Sequence, residues 1–147
     1  MTTAEEVVVT LDRMDRTAVR KTAAVMAFVA VTLFVTSVLH LFGGVHGNNT
    51  FDPNAAGIAE AIIGIVLASA AALMVQEPDR ARRIGMVAVG FAIAGFGVGL
   101  TRTVPSGHAW EIAYHVLVLP ILIATFISLA RSGSAGLGCV DRLTSNN

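Results

Sequence analysis

The sequence predicts an all-α fold, a membrane-embedded four-helix bundle, and three observations carry that prediction. Of 147 residues, 54% are hydrophobic and 14% are charged, whereas a soluble domain carries roughly a quarter charged residues. Mean hydropathy is +0.72, and the apolar residues gather into four long segments parted by short polar stretches. The cations divide unevenly between those stretches, as loops on two sides of a bilayer do. Formal net charge is zero, so nothing points to a nucleic-acid partner. The single cysteine, Cys139, excludes an intramolecular disulfide and any multi-cysteine metal site. The length suits one domain.

Residues 1–21 form a polar leader. Val7, Val8, Val9, Leu11 and Met14 interleave with Asp12, Arg13, Asp15 and Arg16, which fits either a short interfacial helix or a solvated tail. It has no apolar core of the kind a secretory signal needs.

The first span is expected near 22–43. Thr22 to Leu39 holds no charge, and at about 1.5 Å per residue it covers most of a roughly 30 Å hydrocarbon core. His40 falls in its last turn. Gly43, Gly44 and Gly47 break the helix, and Asp52-Pro53-Asn54 reads as a turn or a helix start.

The second span is expected near 56–76. Its uncharged part begins only after Glu60, which places that carboxylate in the first turn, near the membrane boundary. Gly57, Ala61, Gly64, Ala68 and Ala71 recur at three and four, a small-residue stripe that admits a neighbouring helix closely. Pro78 stops this helix, and Arg80, Arg82 and Arg83 precede the third span, near 84–101. Gly95 and Gly99 there fit the close-packing spacing. So much glycine weakens a helix in water, but in a bilayer the backbone has no other partner.

Thr101 to Gly107 reads as a loop. The fourth span, near 110–130, opens on His108-Ala109-Trp110-Glu111-Ile112-Ala113-Tyr114-His115. Pro120 inside it should kink the helix or free a carbonyl. Residues 132–147, rich in Gly and Ser, are expected to be a disordered tail.

Four alternating spans put Arg13, Arg16, Arg20, Lys21, Arg80, Arg82, Arg83, Arg131 and Arg142 on one side, and Arg102 alone on the other. The positive-inside rule then makes both termini cytoplasmic in a plasma membrane. All four histidines, together with Asp52, Glu60, Arg102 and Glu111, collect at the outer end.

Ionisable groups inside a span are costly, and a functional site is the default hypothesis for them. Glu111 and His115 lie four apart on one helix face. With His40 on the first span and Glu60 on the second they could converge from three helices, with His46, His108 and Arg102 as secondary members. Such a set suits three chemistries. Imidazoles and carboxylates hold zinc or another divalent metal. His40 and His115 on facing helices could be axial ligands of haem b, with third-span glycines leaving room for the porphyrin. A His/Glu chain could also carry protons.

The alternative is a structural polar network. Glu60 and Glu111 sit near helix N-termini, where the dipole favours a carboxylate. Arg102 could pair with either, and Trp110 and Tyr114 match interfacial anchors. On that reading no cofactor is bound and the role is a non-catalytic accessory or structural one. The partners are then the lipid bilayer and, through the glycine-rich faces, a second copy or another membrane protein. Transport would need a continuous polar path, for which the cytoplasmic halves offer Thr32, Ser69 and Ser128. No arrangement supports a serine or cysteine hydrolase.

The runs Val38-Leu39-His40-Leu41-Phe42-Gly43-Gly44-Val45-His46 and Gly95-Phe96-Gly97-Val98-Gly99-Leu100-Thr101, with Tyr114-His115-Val116-Leu117-Val118-Leu119-Pro120, resemble small uncharacterised four-span integral membrane proteins of actinobacteria. The likeness covers about residues 22–130. It implies a fold and a location, and no activity for any residue.

Overall fold

A computed structural model of the chain describes residues 4–43, 52–106 and 109–132, with side chains from residue 16 onward except that of Ser106. His46, the Asn48-Asn49-Thr50 tripeptide, His108, Cys139 and the tail at 133–147 lie outside the described residues. Four helices make up the fold: α1 (Ala4–Leu41), α2 (Pro53–Gln76), α3 (Ala81–Ser106) and α4 (Ala109–Ser132), with a 3-10 turn at Pro78–Arg80. Each of the four is long and apolar enough to cross a membrane. The described residues contain no strand.

Helix boundaries follow local chemistry. No glycine or proline interrupts residues 4–41, so α1 runs through the polar leader into the first span. At α2, Asp52 is extended and its carboxylate accepts from the backbone N–H of Asn54 (2.9 Å) and Ala55 (3.4 Å). Pro53, at the first helical position, lacks the N–H that would go unsatisfied there. This cap starts α2 earlier than the apolar pattern suggested, so Glu60 sits in the second turn and not the first.

A second departure concerns the expected loop at Thr101–Gly107. α3 continues to Ser106, and Pro105 lies inside its last turn. Thr103 is buried in the bundle, so packing holds an extra turn that the polar sequence alone did not suggest. Arg102 is therefore a helical residue. α4 runs through Pro120 without interruption.

The bundle follows chain order, α1 against α2, α2 against α3 and α3 against α4. On α1 the buried positions Ala23, Met26, Val29, Ala30, Leu33, Thr36, Ser37 and His40 recur at three and four, one stripe of a helix. On α2 the facing stripe is Gly57, Ile63, Gly64, Leu67, Ala70, Ala71 and Met74. Lipid is as apolar as leucine, so contact at van der Waals distance has to hold such helices together. The glycines make it possible. A Cβ at Gly57 would lie 2.9 Å from Leu41 Cγ, 3.0 Å from His40 Cβ and 3.1 Å from the Ser37 carbonyl oxygen. The Ser37 hydroxyl donates to the Gly57 carbonyl (2.8 Å) at the same crossing. The ring of Phe34 covers Gly64 in like manner.

Gly95 and Gly99, offered by the sequence as a pairing face, are used within the chain. Ile63 fills the space over Gly95, and the His115 ring fills the space over Gly99. At the opposite end Arg82 donates to the Leu129 and Ala130 carbonyls (3.0 and 3.2 Å). Those are last-turn carbonyls of α4, which have no partner within their own helix. Phe28, Val31, Val87, Val98 and Leu117 cover the outside, an apolar coat suited to hydrocarbon and too extensive for water.

The crossing at Gly57 gives a direct test. Gly57→Ala should destabilise the protein by about 1–3 kcal/mol, because the added carbon meets backbone and Cβ atoms that cannot turn away. Gly97→Ala should be close to neutral, since nothing lies within 4 Å of the new carbon. Thermal unfolding of both variants in the same detergent compares them, and equal effects would contradict this account of the crossing.

Candidate functional site

The site begins with the register set at Gly57. Glu60 lies one turn along α2 from that glycine, and His40 one turn along α1 from Ser37. Bringing the two backbones together at Gly57 therefore sets the His40 ring against the Glu60 carboxylate, with Nδ1 2.7 Å from Oε2. The other edge of the ring reaches α4, where Nε2 lies 3.2 Å from Oε1 of Glu111. The side chains of His40 and Glu111 are 2% and 3% exposed, and that of Glu60 12%. Trp110, in the first turn of α4, stacks on His40 with ring centroids 5.8 Å apart.

Each of the two hydrogen bonds needs one proton, carried by the ring or by the facing carboxyl group. In so buried a setting an uncompensated charge is costly, and the network lets the three groups share their protons. Glu111 also has an orphan atom. Among the described residues its Oε2 is buried and has no hydrogen-bond partner.

His115 completes this part of α4. Its Nδ1 is 2.9 Å from the Glu111 carbonyl oxygen. A carbonyl only accepts, so Nδ1 donates, and Nε2 is the ring atom nearest Gly99 of α3. Phe96 packs beside it at 5.1 Å. Tyr114 is hydrogen-bonded to Thr32 (3.0 Å). This bond and the His40–Glu111 bond span α1 and α4, whose backbones lie too far apart to pack as the neighbouring helices do.

All four helices line a cavity of about 750 Å³ at this end of the bundle. Its walls are mostly apolar, with Ile63, Phe91 and Phe96 among them, while His40, Glu60, Glu111, His115, Asp52 and Arg102 supply its polar groups. Ile62 of α2 and Phe91 and Val98 of α3 line it and are also exposed on the outer surface. Exposed residues of α2 and α3 thus form part of its wall.

Of the residues singled out in the sequence, His40, Glu60 and Glu111 meet directly. His115 joins the same cavity without touching His40 through a hydrogen bond. Arg102 lines the cavity and pairs with neither Glu60 nor Glu111, and the Glu111 carboxylate reaches across to α1. His46 and His108 lie outside the described residues.

This arrangement differs from a chelating one. A metal needs donors aimed at one point, but the two carboxylates engage opposite nitrogens of one ring and the donors form a chain. Among the described residues no group of three or more His, Cys, Asp or Glu could hold a metal ion. An axial haem ligand needs a free ring nitrogen, and His40 has both engaged. The room over Gly95 and Gly99 is taken by Ile63 and His115. The donor set therefore does not fit haem b held by His40 and His115.

Three participants were not foreseen from the sequence: Tyr114 as a bridge to Thr32, Trp110 as a ring stacked on His40, and the cavity itself. Spacing could have found Tyr114, which shares the face of Glu111 and His115 at three and four residues. No known protein family, curated protein or solved structure matches the chain.

Removing the central ring tests the network. His40→Leu should destabilise the protein by about 3–5 kcal/mol by leaving two buried carboxyl groups without their partner. Replacing His40, Glu60 and Glu111 together by leucine should recover most of that loss, because no unpaired polar group remains. Denaturation in detergent compares the variants. A His40→Leu protein as stable as the parent would show that the contacts carry no weight.

Proposed function

We propose that this protein is a non-catalytic, multi-pass protein of the plasma membrane, with both termini cytoplasmic, that accommodates a small amphiphilic molecule entering from the bilayer. The observation that carries this reading is the cavity of about 750 Å³. Its volume falls in the range of roughly 300–1,000 Å³ common for small-molecule sites, and its apolar walls with a few convergent polar groups are the usual composition of such sites. Exposed residues of α2 and α3 in its wall support access for a ligand already dissolved in the membrane.

Transport is less favoured. Below the Thr32–Tyr114 bond the largest fully buried side chains are Met26, Val29, Leu67, Met74, Val89 and Leu122, and this apolar plug offers no path for an ion. The metal and haem readings lack a converging donor set among the described residues. The orientation rests on nine of ten Lys and Arg residues falling on one side of four alternating spans.

Two experiments test the proposal. A photoreactive alkyl probe with a neutral hydroxyl head, added to reconstituted protein, should label residues of α2 and α3 around the cavity. Labelling should saturate and should be displaced by unlabelled decanol. Ala59→Phe, in the cavity wall, should reduce labelling several-fold without lowering the unfolding temperature. Labelling that neither saturates nor responds to Ala59→Phe would contradict a binding cavity. For orientation, Cys139 is the single cysteine. A membrane-impermeant maleimide should modify it in inverted vesicles and spare it in intact cells, and the opposite result would reverse the topology.

A further inference from the structure

Arg102 stands apart from the other cations, and its place bears on what the cavity takes, an inference that rests on the binding reading above. Nine of the ten Lys and Arg residues fall on one side of four alternating spans, and Arg102 falls alone on the other. The charge bias that orients such spans acts against a cation there. Arg102 is exposed and lines the cavity. Among the described residues it forms no ion pair. Its guanidinium holds its charge at any pH the protein meets, and it has only donors to offer.

The helix puts that charge at the end of an apolar wall. Arg102 follows Val98 by four residues and Gly99 by three, so it continues the face of α3 that lines the cavity. Val98 and Phe91 lie one and three turns back along that face, and α2 contributes the small residues Ala55 and Ala59 to the same lining. The carboxylates of the lining are engaged elsewhere. Asp52 accepts the first backbone N–H groups of α2, where its charge answers the positive end of that helix. Glu60 and Glu111 share protons with His40. An apolar wall that ends in a fixed cation is complementary to an alkyl chain that ends in an anion.

We infer that the cavity takes a single-chain lipophilic carboxylate, an anion of the fatty-acid class, with Arg102 as its head-group partner. The two carboxylate oxygens accept from paired N–H groups of the guanidinium, a planar match that adds direction to the attraction of charge. The alkyl chain lies along Val98 and Phe91 of α3 and Ala59 of α2. A cavity of about 750 Å³ suits one chain with a small head, whereas an anionic phospholipid brings two chains and a bulkier head.

Competition with the neutral photoreactive alkyl probe supplies the test. The full-length protein is reconstituted in phosphatidylcholine vesicles at mildly alkaline pH, where the acid is ionised. Labelling is challenged with decanoate, decanol and decyltrimethylammonium, each corrected for its own partition into protein-free vesicles. Decanoate should halve the labelling at a bilayer concentration about ten-fold below that of decanol, as expected for charge-assisted hydrogen bonds. Decyltrimethylammonium should do no better than decanol. Arg102→Gln removes the charge at an exposed position, so it should bring decanoate to the level of decanol and leave decanol itself unchanged. Including phosphatidylglycerol in the vesicles should leave displacement by decanoate unaltered.

Equal displacement by decanoate and decanol in the parent protein would overturn the head-group assignment while leaving a binding cavity in place. Failure of all three compounds to displace the probe would remove both. A preference for decanoate that survives Arg102→Gln would overturn the role of Arg102. Loss of that preference in phosphatidylglycerol vesicles would overturn the single-chain assignment. The parent-protein series stands alone if Arg102→Gln does not fold.

Discussion

The hydrogen-bonded chain Glu60–His40–Glu111 is the constraint on which this end of the molecule depends. It joins three helices through one ring, with His40 and Glu111 buried where water cannot readily substitute for a lost partner. The small residues of α1 and α2 bring His40 and Glu60 together. α4 is held differently, because its backbone does not pack closely on α1. Two side-chain bridges, His40 to Glu111 and Thr32 to Tyr114, span the gap. His40, Glu111 and Tyr114, which make those bridges, also line the cavity.

The two ends of the bundle are built on opposite principles. Toward the Pro78–Arg80 turn the interior is solid: Met74, Gly85 and Leu129 interlock at contact distance, and Arg82 satisfies the last carbonyls of α4. Toward the other end the interior holds polar groups and empty volume. A membrane protein needs an internal partner for every buried polar group, and among the described residues every fully buried side-chain polar atom but one has it. Oε2 of Glu111 is the exception. Glu111 lines the cavity, while its Oε2 is enclosed by protein.

Much of this was legible in the sequence. Four uncharged stretches separated by Gly, Pro and Arg specify four spans, because length and charge alone decide whether a segment can sit in hydrocarbon. The stripe at Gly57 and Gly64 announced the close crossing with another helix. His40, Glu60 and Glu111 stood out because charge inside a span is costly. What the sequence did not carry was the geometry of their meeting. Whether two carboxylates converge on a metal or take opposite edges of one ring depends on helix rotation and rise, set by contacts such as Ser37 to Gly57 that no spacing encodes. The start of α2 was placed late because the cap at Asp52 is a local hydrogen-bond event, invisible to an apolar window. Arg102 was placed in a loop because burial of Thr103, a tertiary fact, extends α3. Gly99 suggested vacant space, and its occupant, His115, comes from another helix.

The central claim is that His40 bonds Glu60 through Nδ1 and Glu111 through Nε2 at the same time. Solid-state nitrogen-15 spectra of the reconstituted protein, with histidine labelled in the ring and His40 assigned by difference from His40→Leu, test it most directly. The account predicts that both ring nitrogens of His40 are hydrogen-bonded, that Glu60→Gln perturbs chiefly the Nδ1 signal, and that Glu111→Gln perturbs chiefly the Nε2 signal. A His40 nitrogen with the shift of a free, unbonded lone pair, unmoved by either substitution, would contradict it.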